Sequence, residues 1–188
     1  GGGPDVMRLD IIWTPGFAAA GLLESLERYE GFYDLIDQVY PGPLSTNVYE
    51  GVYYGIPLST NTQVYVYNEE LFDQVGVFAP TTWDEFEEVT RHLTQVEGGE
   101  VIRYGYDIGG PWAWTLFPWI WSNGGAITDP DITTASGYLD GTRTVEAIET
   151  IAQWAASGIL APNIVGGDFD GWGSFVNGMV AARQDGPW

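Results

Sequence analysis

The stretch GVYYGIPLSTNTQVYVYN, Gly51 to Asn68, constrains the fold of this chain more than any other. It opens on a Glu50-Gly51 turn between two short aromatic runs. It ends on Val64-Tyr65-Val66-Tyr67, where apolar and aromatic residues recur at the period of an extended strand. Between them lie Leu58-Ser59-Thr60-Asn61-Thr62. A buried strand cannot carry so many polar groups in succession, because each one left unpaired costs free energy. The patch must face water, a ligand, or a gap between two bodies. It is read here as the segment that leaves one α/β lobe, spanning residues 1–60, and enters a second, spanning residues 61–188.

The rest of the chain alternates strand and helix signals, which argues for α/β architecture. Asp5 to Asp10 reads as a strand, and Thr14 with Pro15 opens a helix through Ala20, Pro being tolerated in a first turn. Glu24 to Arg28 adds a helical turn, Phe32 to Val39 another helix, and Pro41-Gly42-Pro43 forces a loop. Asn68 caps a helix that Gly76 closes. Thr82 and Glu85 stand at capping-box spacing ahead of Phe86, Val89, Leu93 and Val96 on one face, with Gly98-Gly99 as the stop. A strand over Val101 to Asp107, an aromatic helix over Trp112 to Trp121, a loop over Asp129 to Tyr138, and helices over Thr144 to Ala156 and Asp168 to Asn177 follow. Met179 to Gln184 is a last strand, leading into Asp185-Gly186-Pro187-Trp188.

Charge excludes whole classes of function. The 188 residues hold 26 acidic groups against six arginines and no lysine, a net charge of -20. Nucleic acids and anionic membrane surfaces require cations the chain lacks. The acidity reads either as solubility by charge or as adaptation to high salt, which screens self-repulsion. Cysteine is absent, so disulfides and thiol chemistry are excluded. His92, the one histidine, stands on the polar side of its helix with no triad to join. Asp129 and Asp131 lack the glycine and closing glutamate of a calcium loop. No phosphate loop or dinucleotide fingerprint is present, and no cofactor is implied. No apolar run is long enough to span a membrane.

The chemical signal that remains is nine tryptophans. An indole offers a flat apolar face and one donor, which suits the C–H face of a sugar ring. Trp83, Trp119, Trp121, Trp154 and Trp172 read as core packing. Trp188, after a Gly-Pro break beyond a strand's carboxyl end, is positioned for a ligand, as are Asp10 and Trp13 after the first strand.

Five further stretches agree with the central one: Pro4-Asp5-Val6, Ala20-Gly21-Leu22-Leu23, Thr82-Trp83-Asp84-Glu85-Phe86, Trp121-Ser122-Asn123-Gly124-Gly125 and Asp185-Gly186-Pro187-Trp188. With Tyr54-Gly55-Ile56-Pro57-Leu58-Ser59-Thr60 and Tyr67-Asn68-Glu69-Glu70-Leu71-Phe72, the chain resembles family 1 extracellular solute-binding proteins, the sugar receptors of ABC importers. The resemblance runs from Pro4 to the last residue. It implies a periplasmic-binding-protein-like fold of two α/β lobes joined by hinge strands, incomplete at both ends here. It places Trp188 at the family's sugar-stacking tryptophan and Trp112 or Trp114 at an aromatic position opening a helix. It sets Asn61, flanked by Thr60 and Thr62, at a position where maltose-binding protein has a carboxylate. Ile12 stands where that protein has a sugar-binding acid, with Trp13 one step past it; Asp10 is the replacement from a shifted position, and the departure puts maltose itself in doubt.

The function expected is therefore a binding module without catalytic residues, extracytoplasmic and monomeric. It would close over a neutral sugar and present it to ABC transporter permease subunits. A glycoside hydrolase with an aromatic cleft is the rival, and would need two facing carboxylates that the sequence does not single out. A receptor for a cationic solute such as a polyamine is the alternative within the binding class, through aromatic faces and carboxylates.

Overall fold

The computed structural model describes residues 3–187. The chain forms two compact units that divide between Asn61 and Thr62.

The first unit is short-ranged. A 3-10 turn, Ile11–Trp13, runs into α1, Thr14–Ala19; α2 (Phe32–Ile36) and α3 (Pro41–Ser45) follow. A hairpin of β1 (Val48–Tyr49) and β2 (Val52–Tyr53) completes it. Glu50 and Gly51 both take positive φ, 50° and 79°, which gives the two-residue turn the twist its strands need. Phe32, Ile36 and Leu44 form the small core, with Leu26, Val39 and Tyr53 packed on it.

Three expectations fail in this unit. Residues 5–10 form no strand and pair with neither β1 nor β2. Residues 24–28 are turns rather than helix, although Arg28 and Glu24 pair at 2.6 Å. Pro41-Gly42-Pro43 starts a helix instead of forcing a loop: Pro41 takes the first turn, where its missing N–H is no loss.

The second unit is built on a four-stranded sheet, in the order β3-β6-β5-β4. These strands are β3 Val64–Tyr67, β4 Gln95–Glu97, β5 Glu100–Asp107 and β6 Val180–Asp185. β5 runs parallel to β6; β3 is antiparallel to β6, and β4 to β5. The intervening helices are α4 (Glu69–Val75), α5 (Trp83–Leu93), α6 (Ala113–Ser122), α7 (Thr142–Ala156) and α8 (Gly171–Val176).

Helix starts follow side-chain chemistry. Asn68 accepts from Leu71 N, and Gly76 closes α4 in the left-handed region at φ 72°. Thr82 accepts from Glu85 N, but the Glu85 carboxylate reaches past it to Thr81, taking both N–H and hydroxyl at 2.8 and 2.7 Å. The capping box is thus shifted by one residue, and those bonds hold Glu85 below its ordinary pKa.

The expected face through Val96 ends early. Thr94 is extended, and Gly98 and Gly99, at φ 60° and 89°, turn a β4–β5 hairpin, leaving Val96 exposed. Two adjacent residues at positive φ suit a hairpin turn better than a helix stop.

The core is aromatic. Phe86 of α5 lies 4.9 Å from Tyr106, 4.9 Å from Trp119 and 4.7 Å from Trp154, ring centre to ring centre. Leu93, Ile108, Val180, Ala181 and Ala182 are fully enclosed around them.

Candidate functional site

In open α/β sheets ligands bind beyond the carboxyl ends of parallel strands. In the second unit the parallel pair is β5 and β6, whose carboxyl ends are Asp107 and Asp185. Both carboxylates are buried, at 1% and 7% exposure, and Arg183 lies between them. Its Nε is 3.0 Å from Asp185 Oδ2, and its Nη2 is 3.9 Å from Asp107 Oδ2. Asp107 also accepts from Gly109 N at 2.8 Å and Asn163 Nδ2 at 2.7 Å. Gly171 opens α8 against this carboxylate: a Cβ there would lie 2.0 Å from Asp107 Oδ2. One guanidinium thus faces two carboxylates at the strand ends, while Asp107 Oδ2 and Arg183 Nε and Nη1 make no hydrogen bond among the described residues.

β5 runs through Ile108, Gly109 and Gly110 into α6. Gly109 is left-handed at φ 85°. The helix opens on Trp112 and Trp114, 67% and 52% exposed. Trp112 N donates to Gly110 O at 2.8 Å, and the indole lies over Gly110, where a Cβ would meet Nε1 at 2.3 Å. Two exposed tryptophans in the first turn of α6, just past a strand's carboxyl end, make this turn an aromatic platform.

Two glutamines that the sequence did not single out meet beneath it. Gln63, the residue before β3, donates to the Trp114 carbonyl at 2.6 Å. Gln184 of β6 donates to Gln63 Oε1 and, at 3.0 Å, to the Thr115 carbonyl. Trp119 Nε1 donates to Gln184 Oε1 at 2.7 Å. Polar residues inside a strand pattern were the available signal, but the partners lie 51 to 121 residues away in the chain.

The other expected residues are placed as follows. In the first unit, Asp10 caps the 3-10 turn through Ile12 N at 3.2 Å, and Trp13 stands exposed beside Phe17 at 6.4 Å. Thr60 and Asn61 are exposed on an extended segment outside any strand. The structure thus sets Asp10 and Trp13 on one turn of the first unit, and Trp112 and Trp114 on the first turn of α6. Trp188 lies outside the described residues.

The core assignment of two tryptophans is corrected. Trp121 is 56% exposed beside Phe117, because it falls on the outer side of α6. Trp172 is 60% exposed, with the Arg183 guanidinium 5.3 Å above its ring. Trp83, Trp119 and Trp154 lie in or against the core.

The remaining titratable groups serve the scaffold. Asp129 is held below its usual pKa by the Thr134 N–H and the Thr133 hydroxyl and N–H, all within its own loop. His92 is exposed, its Nδ1 2.8 Å from Glu88 O. Burial pushes the Tyr65 and Tyr106 phenols well up, and the two rings stack at 5.2 Å. No cluster of three or more His, Cys, Asp or Glu able to hold a metal occurs among the described residues, and no helix among them is long and apolar enough to cross a membrane.

The sequence and the fold have parallels among known proteins. The chain is 34% identical to the maltotriose-binding protein of Pyrococcus abyssi over 89 residues, 47% of this chain and 18% of that protein. It is 26% identical to a putative binding protein of Brucella abortus (strain 2308) over 158 residues, 81% of this chain and 36% of that one. Among solved structures it superposes on the GacH receptor of Streptomyces glaucescens, crystallised unliganded and with acarbose. The TM-score is 0.79 at 27% identity, covering 100% of this chain and 46% of that one. An ABC transporter solute-binding protein from Thermotoga lettingae, bound to α-D-tagatose, matches with TM-score 0.76 and 26% identity over 94% of this chain and 46% of that one. The chain therefore spans less than half the length of each of these relatives. The family model described as bacterial extracellular solute-binding protein matches residues 1–188, so the chain belongs to that family.

Proposed function

We propose that this chain forms part of an extracytoplasmic receptor for a carbohydrate ABC importer, one that holds a neutral sugar or oligosaccharide and breaks no bond. The observation that carries the reading is the exposed Trp112–Trp114 pair at the carboxyl end of β5, in a member of a solute-binding family. Indole faces stack on the apolar face of a pyranose, and nearby amides and hydroxyls satisfy its rim. The relatives that bind maltotriose, acarbose and tagatose support the substrate class. Six arginines and no lysine disfavour an anionic ligand, and Arg183 is already committed to Asp107 and Asp185.

Residues 1–60 and 61–188 are proposed as parts of two lobes that close on the ligand. Asp10, Trp13 and Thr60 then contribute from the first lobe, and Asn61, Trp112, Trp114 and Trp188 from the second. Ligand contacts in both lobes favour the closed state, which the permease subunits read. The receptor acts as a monomer. Calorimetric titration with maltotriose, maltose, tagatose, acarbose and, as a cationic contrast, spermidine tests the reading. Saturable binding of a neutral sugar that is recovered intact is expected. Cleavage of the sugar, or binding of spermidine alone, would overturn it.

A further inference from the structure

We propose that Gln63 is a positioning residue that fixes the aromatic platform by donating to the Trp114 carbonyl, to which Pro118 can supply no helical N–H. The argument begins with proline chemistry. Residue 118 lies inside α6 and has no N–H, so the Trp114 carbonyl, four residues earlier, loses its helical donor. A backbone carbonyl that loses its helical donor is met by water or by another protein group. Here that group comes from outside the helix: the Gln63 amide donates to Trp114 O at 2.6 Å.

The amide is itself held. Gln184 Nε2 donates to Gln63 Oε1 and to the Thr115 carbonyl, and Trp119 Nε1 closes the chain on Gln184 Oε1. Gln63 and Gln184 belong to neighbouring strand segments, β3 pairing with β6 from Val64↔Asp185 onward. The first turn of α6, with Trp112 and Trp114, is thereby tied to the sheet at two successive carbonyls. Gln63 also directly follows the polar segment that holds Thr60, Asn61 and Thr62. One side chain thus links the exit of that segment to the orientation of the platform. Side-chain networks of this kind hold a site in one geometry when every member is satisfied.

The inference rests on the sugar-binding reading, and its test separates the two. Gln63→Leu removes the donor; Pro118→Ala restores a backbone N–H at residue 118 that can reach Trp114 O from within the helix. In Gln63→Leu, the near-UV circular dichroism of the tryptophans should change, and maltotriose binding should weaken about fivefold, the equivalent of one neutral hydrogen bond. In the double variant Gln63→Leu/Pro118→Ala both should return toward the parent, a rescue that general loss of packing at residue 63 would not give. A double variant as impaired as the single one, or a single variant with unchanged dichroism, overturns the proposal. If the parent protein binds no maltotriose, the sugar reading has failed, and the dichroism of the three proteins still decides the role of Gln63. Should Gln63→Leu not fold, side-chain amide exchange in the parent decides: the Gln63 NH₂ protons should exchange more slowly than those of exposed Gln74, and equal rates would refute the bond.

Discussion

Trp112→Ala separates a ligand platform from a packing residue. The ring is 67% exposed, and Trp112 is the N-cap of α6 without a side-chain capping bond, so alanine forfeits little that holds the fold. A tryptophan side chain can bury about 150–250 Å², so roughly 100–165 Å² of this ring is open. A sugar stacks on one face and covers about half of that, roughly 50–80 Å². At about 25 cal/mol per Å² this is worth ~1.2–2 kcal/mol. The specific contact adds ~0.5–1.5 kcal/mol if sugar stacking resembles aromatic pairing. The sum corresponds to a loss of affinity of about twentyfold to several-hundredfold, at 1.4 kcal/mol per decade. Titration calorimetry with maltotriose measures it. A thermal melt of the same samples should move by no more than a surface substitution does, about 0.5 kcal/mol. Unchanged affinity would show that the ring meets no ligand. A collapse of the melt with lost binding would show that it packs the protein.

Three further outcomes follow from the scaffold. Gly105→Ala should destabilise by about 1–3 kcal/mol in urea unfolding, because its Cβ would meet the Thr90 carbonyl at 2.1 Å and force α5 off β5; strand propensity alone has the opposite sign, so a gain in stability would refute this close approach. Glu87 is held below its ordinary pKa by Trp154 Nε1 and then by Arg91, so its contribution is present above the usual glutamate range and is lost as pH falls through the lowered value. The cost of Trp154→Phe should therefore be larger at pH 6 than at pH 3 in unfolding titrations, and a pH-independent cost would contradict the assignment. With a net charge of -20, the melting temperature should rise as KCl goes from low to molar concentration, through screening of carboxylate repulsion, and a flat response would remove the high-salt reading.

The sequence alone determined those features whose donors and acceptors lie within a few residues. The Asn68 cap, the Gly76 stop, the Thr82 start and the Glu50-Gly51 turn all stand where the residues indicated, because each depends on one local bond or one backbone angle. The order of strands and helices from Val64 onward, apart from β4 and the 3-10 turn Pro162–Val165, was legible for the same reason. Tertiary structure decided what short-range chemistry left balanced. Val96 continues the apolar face of α5 in the sequence, but the edge offered by β5 draws residues 95–97 into a strand. Trp172 had the composition of a core residue, but α8 turns it outward under Arg183, a partner in the following strand. Residues 5–10 had strand propensity but pair with no strand among the described residues. The candidate site divides along the same line. Exposed tryptophans after a Gly-Gly-Pro break were readable in the chain. Their support was not: the Trp114 carbonyl is met by a glutamine 51 residues earlier, and Asp107 by an asparagine 56 residues later. A hydrogen bond between such distant residues forms only after the sheet has brought them together, so no local pattern in the sequence can encode it.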